Sequence, residues 1–111
     1  MEFKEAEKKA LLFRDERDWA QFHNPKDLAI SISLEASELL ETFQWSGVDT
    51  HVEASNKHMA AELADIMIYA IYLADELGID LPQTISDKID ANAVKYPVAA
   101  AYGNARKYTE L

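Results

Sequence analysis

The chain contains no cysteine, which excludes a disulfide framework, a thiol nucleophile and any thiolate metal site. Glycine and proline are scarce, three of each, so few positions break a helix outright. No stretch alternates apolar and polar residues for long enough to suggest a sheet. Long apolar runs are also missing: the longest without a charge, Ile66 to Ala74, is about half of what a bilayer crossing needs. The opening residues, MEFKEAEKKA, are charged and lack an apolar centre, so no signal peptide is expected and a cytoplasmic protein is the default. Basic residues number 11 against 20 acidic ones, a net charge of −9. Binding to a nucleic-acid backbone needs a basic stripe and is not expected, and neither is a membrane partner. A small anionic ligand is still compatible with this charge, because a bound metal ion inverts it locally.

What is present is ordinary for a folded protein: 49% apolar and 28% charged residues in a chain of 111, expected to form one domain over residues 1–111. The pattern predicts four helices and an all-α bundle. The first is expected from about Phe3 to Phe22, with Leu11, Leu12, Trp19 and Phe22 turned inward. The second starts with Asn24 as N-cap and Pro25 in the first helical position, has Asp27 near its positive end, and runs to about Trp45. After a polar connection whose Ser55 or Asn56 can belong to the next helix, a third spans roughly Glu53 to Leu77 and ends at Gly78. The fourth runs from Pro82 to about Lys95, where Tyr96-Pro97 stops it. The tail, VAAAYGNARKYTEL, carries little helix signal beyond its alanines.

Acidic residues sit where a solvated face would not put them. On a helical wheel of the second helix, Leu28, Ile32, Ala36, Leu39, Leu40 and Phe43 form one apolar stripe, and Ile30, Leu34 and Trp45 a second on roughly the opposite side. Glu35 and Glu38 fall in the gap between them, and Glu41 lies at the edge of the second patch. In the third helix, Met59 to Ala74 carries only two charges, Glu62 and Asp65, again three residues apart, and Tyr69 and Tyr72 continue their face. A helix so apolar all round is expected to be buried.

A lone E-x-x-E on a helix is as a rule a solvated face. Two such acidic pairs embedded in apolar helices of one small domain call for a cation, since an unpaired buried carboxylate costs several kcal/mol or takes up a proton. Oxygen-only ligands in a wet cleft suit Mg²⁺, with Mn²⁺ as a substitute. A di-iron bundle would need E-x-x-H motifs, whereas Ala20, Val48 and Ser55 stand three residues before His23, His51 and His58.

The pattern E-x-x-E, a spacer, then E-x-x-D resembles the MazG-like NTP pyrophosphohydrolases, and more closely their dCTP pyrophosphatase branch. The segments ERDWAQFHNPKDL, EASELLETFQW, AELADIMIYAIYLA and DLPQTISDKIDANAVKYP all look like that branch, as does the closing RKYTEL. The resemblance implies Mg²⁺-dependent hydrolysis of a (deoxy)nucleoside triphosphate to monophosphate and pyrophosphate, in nucleotide-pool house-cleaning with a dCTP-like preference. It makes Glu35, Glu38, Glu62 and Asp65 the metal ligands, with Glu38 orienting or deprotonating the attacking water and Glu35 beside it. His23, four residues after Trp19, reads as a packing or capping histidine that is also a candidate contact to the nucleobase. By the same likeness Trp19, Trp45 and Tyr69 belong to the base and sugar pocket, and Lys88, Asn92 and Tyr96 face the nucleotide. Their spacing of four places those last three on one helical face. Two positions depart from the branch: Asp27 stands where close relatives usually carry asparagine, and Ala10 where they can carry histidine, which puts base preference in question. A homo-oligomer is expected, a dimer at least and a tetramer as in the relatives, because the helices offer more apolar surface than one small bundle hides. The competing classes are a nucleotide-binding regulator that releases no pyrophosphate and a helical interaction module that binds no Mg²⁺.

Overall fold

The computed structural model describes residues 1–52 and 56–111, and among them every regular element is helical. The chain divides into two compact units, Met1–Ile79 and Asp80–Leu111. No helix is long and apolar enough to cross a membrane among the described residues.

The first unit contains α1 (Phe3–Glu16), a 3₁₀ turn (Trp19–Phe22), α2 (Pro25–Glu41) and α3 (Asn56–Glu76). The first helix is shorter than its periodicity predicts. It stops at Glu16, and Asp18 takes a left-handed conformation with φ 53°. Aspartate tolerates that region because its short polar side chain bonds locally, and here Gln21 donates to the Asp18 carboxylate at 2.9 Å. The reversal aims Trp19–Phe22 in a new direction. Trp19, Phe22 and Leu12 stay 43%, 67% and 59% exposed, so the expected inward set of α1 is not its buried set. The one buried side chain of α1 is Arg14.

α2 starts as predicted: the Asn24 side chain accepts from the backbone N–H of Asp27 at 2.9 Å, with Pro25 at the first helical position. Such a cap contributes about 1 kcal/mol. The helix ends four residues before Trp45, loosening into i→i−3 turns at Thr42, Phe43 and Gln44. Trp45 then adopts φ 71°, a region costly for a bulky side chain. α3 ends as expected. Gly78, at φ 68°, donates to Asp75 O at 3.1 Å and Ile79 to Ala74 O at 2.8 Å, the paired bonds of a Schellman cap. The expected start of α3 at Glu53, and Ser55 with it, lie outside the described residues.

α2 and α3 form the main contact of this unit, with Leu28 on one side and Ile71, Tyr72 and Ala74 on the other supplying its buried apolar residues. Of the first α2 stripe, Leu28 is buried and Ile32, Leu39 and Phe43 half-buried, whereas Leu40 is 70% exposed. The second patch, Ile30, Leu34 and Trp45, is open to solvent in the single chain. α3 is not buried all round either: Leu63 is 55% exposed, so its apolar surface is only partly used within the chain.

The second unit holds α4 (Leu81–Lys95), a single-turn α5 (Val98–Ala101) and a 3₁₀ turn at Tyr108–Glu110. Asp80 caps α4 by accepting from Gln83 N at 3.1 Å, and Tyr96-Pro97 ends it as predicted. The alanines of the tail do form one helical turn. Tyr96 and Tyr108 meet edge to face at 6.1 Å, and the Lys95 ammonium lies 4.9 Å from the Tyr108 ring centre.

Candidate functional site

The spacing of three within α2 and within α3 turns acidic side chains from both helices toward one another. Glu35, Glu62 and Asp65 each place a carboxylate oxygen within 4.8 Å of the others. Glu62 is buried, Glu35 half-buried and Asp65 exposed, so the cluster grades from the helix contact out to solvent. With all carboxyls ionised, Oε2 of Glu35 and Oε2 of Glu62 are both buried and lack any hydrogen-bond partner. Buried acceptors of this kind cost free energy unless a cation or a proton reaches them.

The protonation of Glu35 responds accordingly. Burial pushes its pKa up first; hydrogen bonding with and repulsion from Glu38, a hydrogen bond with Glu62 and the charge of Asp65 add to this, reaching about 7. Glu38 therefore lies beside Glu35, although it is exposed and is not one of the three convergent oxygens. The four acids expected as ligands resolve into a converging triad with a fourth at its edge. His58, one turn before Glu62 on α3, brings Nε2 to 3.7 Å from the Glu62 carboxylate; the sequence reading had considered this histidine only as a di-iron ligand.

Asp65 belongs to a second feature as well. It lines a cavity of about 470 Å³ between α1, the turn that follows it and α3. Trp19 and His23 enter the cavity from the turn, Tyr69 and Tyr72 from α3, and Phe13 from α1. The rings are arranged edge to face: Phe13 and Trp19 at 5.6 Å, Tyr69 and Tyr72 at 6.2 Å. His23 lies 5.2 Å from Tyr72 at a 30° tilt, and its Nδ1 is buried without a partner. Burial lowers the His23 pKa, the nearby Arg14 charge lowers it further, and Glu76 opposes both, so the ring is neutral at physiological pH. A largely apolar cavity of this size, with aromatic walls and a few polar atoms, suits a flat organic ligand.

Of the expected substrate-binding residues, Trp19, His23 and Tyr69 line this one cavity. Trp45 does not line this cavity in the single chain and is 90% exposed at the end of the turn after α2. Lys88, Asn92 and Tyr96 belong to the second unit, where Lys88 and Asn92 lie on α4 and Tyr96 caps it, all three exposed. Phe13 and Arg14 were missed by the sequence reading. The i, i+4, i+7 spacing of Ala6, Ala10 and Phe13 marks the cavity face of α1, whereas Leu11 and Leu12 drew attention to another.

Among the described residues the fold is thus all-helical, with a carboxylate triad bordering an aromatic cavity. Residues 30–111 match the MazG-like family, and the chain belongs to that family. It is similar to dCTP pyrophosphatase 1 of Mus musculus, at 39% identity over 89% of this chain and 61% of the relative. For dCTP pyrophosphatase 1 of Homo sapiens the identity is 38% over the same shares. The chain therefore spans about 61% of the length of these curated relatives. Among solved structures, a pyrophosphatase from Archaeoglobus fulgidus DSM 4304 superposes with TM-score 0.75 at 39% identity, covering 85% of this chain and 91% of that one.

Proposed function

We propose that the protein is a nucleoside triphosphate pyrophosphohydrolase. The observation that carries this reading is the sharing of Asp65 between the carboxylate triad and the aromatic cavity. A nucleotide is a flat base joined to a polyanion, and one residue marks the border between a place for each. The names of the similar dCTP and archaeal pyrophosphatases support the same reaction.

The donor set is all oxygen and anionic, with two buried acceptors lacking partners, and it fits a hard divalent ion, Mg²⁺ with Mn²⁺ as substitute. Glu35, Glu62 and Asp65 would hold it, with Glu38 as an outer ligand. When bound, the ion neutralises charge on the triphosphate oxygens. The chain's own residues do the rest. Trp19 and Tyr69 hold the base, with His23 offering its neutral ring to the base edge. Glu38, exposed to solvent and beside Glu35, orients a water and accepts its proton. The water oxygen bonds to the α-phosphorus, the α–β P–O bond breaks, and pyrophosphate leaves. Trp45, Lys88, Asn92 and Tyr96 join the nucleotide site on the strength of the resemblance, and residues 1–111 act as one domain.

A dCTP-like preference is proposed from the named relatives, and a homo-oligomer from the exposed apolar residues Leu34, Leu40, Trp45 and Leu63, which are more than a monomer of this size usually leaves open. A panel of normal and modified (d)NTPs assayed for pyrophosphate release with Mg²⁺ tests the reading. Release with dCTP among the best substrates is expected. Nucleotide binding without pyrophosphate from any member of the panel would leave a regulator in its place.

A further inference from the structure

α1 is held to α3 by polar ties, and they sit at one end of the aromatic cavity. Arg14 Nη1 donates to Asp75 Oδ2 at 2.7 Å, and Tyr72 Oη donates to the backbone carbonyl of Ala10 at 3.0 Å. Ala10 thus lies opposite Tyr72 and Arg14 opposite Asp75, so the two helices run in the same direction. Toward their earlier residues lies the cavity, lined by Ala6 and Ala10 on one side and Asp65, Ile68 and Tyr69 on the other. The small side chains of Ala6 and Ala10 leave that space unfilled.

One of the two ties has a cation at its centre. Arg14 is the one buried residue of α1, while Asp75 remains 45% exposed. Its guanidinium is fixed on three sides: Nε donates to Asp15 Oδ1 at 2.8 Å, Nη1 to Asp75, and the plane lies 5.8 Å from the Tyr72 ring centre. A planar fork with two carboxylates and a ring around it admits one orientation, which an apolar anchor would not enforce. Phe13, the residue before Arg14, lines the cavity from α1, and Trp19 lines it just past the reversal at Asp18.

We propose that Arg14 and Asp75 are positioning residues that set the width of the cavity, holding the α1 wall and Trp19 at the distance from Tyr69 that a flat base occupies. This rests on the cavity being the base site. The pair touches neither the base nor the carboxylate triad, so its loss should weaken substrate capture and leave the chemical step alone.

Steady-state kinetics of the full chain with Mg²⁺ and dCTP test this in Arg14→Met, Asp75→Ala, the double variant and Arg14→Lys. KM should rise about fivefold or more in each of the first two. The double variant should add little, because both changes cut one tie. kcat and the Mg²⁺ activation curve should stay within about twofold, and Arg14→Lys should recover part of the loss, having charge but no fork. In a Trp45→Phe background, Trp19 emission should move to the red and become more open to acrylamide quenching in Arg14→Met. If Arg14→Met does not fold, Asp75→Ala, at a half-exposed position, gives the same readouts. A lower melting temperature with KM unchanged would overturn the proposal and leave a purely structural ion pair. So would a fall in kcat at constant KM. A wild-type chain that hydrolyses no nucleotide would remove the functional reading and this one with it, whereas normal turnover with unmoved KM removes only this one.

Discussion

Glu35 on α2 and Glu62 on α3 face each other with one carboxylate oxygen apiece buried and without a partner. Among the described residues no lysine or arginine pairs with either one, and the His58 ring, 3.7 Å from Glu62, is itself largely exposed. Such an arrangement is strained when ionised and relaxes in one of two ways, by taking up protons or by taking up a cation.

The proton route has a defined direction. The Glu35 pKa is raised from 4.5 to about 7 in the folded chain, so between those values the folded state holds a proton that the unfolded state has lost. Metal-free stability from this group is therefore present at low pH and falls as pH rises, with the loss complete above about 7. A difference curve of melting temperature between Glu35→Gln and wild type, measured without metal from pH 5 to 8, should rise across this window. At pH 8 the variant should melt roughly 4 °C or more above wild type, about 1 kcal/mol for a chain of this size. A flat difference curve would mean that Glu35 titrates as an ordinary surface carboxylate.

The cation route predicts competition. Mg²⁺ at a hundredfold excess over its Kd should stabilise the fold by roughly 2.7 kcal/mol at pH 7.5, and by much less at pH 5, where protons hold the same oxygens. Monovalent salt at matched ionic strength controls for screening of the −9 charge. Equal shifts from Mg²⁺ and the control would reduce the triad to an acidic surface.

Catalysis should depend on each acid for a different reason. Glu62→Gln and Asp65→Asn should weaken Mg²⁺ activation and lower kcat by about 100-fold or more, while Glu38→Gln, at an outer ligand, should lower kcat by a similar factor with a smaller change in Mg²⁺ activation. Activity retained in Glu38→Gln would take the water-orienting role away from it.

Much of this was legible in the sequence where a local signal decides the outcome. The Asn24 cap, the Gly78 stop and the Tyr96-Pro97 stop each act through their own backbone chemistry, and all three fall where expected. The acid triad was legible because spacing on two helices fixes its faces. The break at Asp18 was not, since neither glycine nor proline announces it and the left-handed turn is stabilised by its neighbours. Arg14 was also invisible: a cation in a charged helix reads as solvated until a distant partner, here Asp75, is in place. Leu40 and the second patch of α2 were read correctly as apolar, but whether a neighbour covers them is not a property of the helix that carries them.

Light scattering addresses that exposed surface. A dimer or tetramer at micromolar concentration is the expected mass, and a monomer would show that Leu34, Leu40, Trp45 and Leu63 remain in water.

The most direct measurement of the central claim is the fate of solvent oxygen. Turnover of dCTP with Mg²⁺ in ¹⁸O-labelled water should place one labelled atom in the nucleoside monophosphate and none in pyrophosphate, because the attack proposed is at the α-phosphorus. The label should vanish with activity in Glu62→Gln. Label in pyrophosphate, or orthophosphate as the first product, would contradict the account.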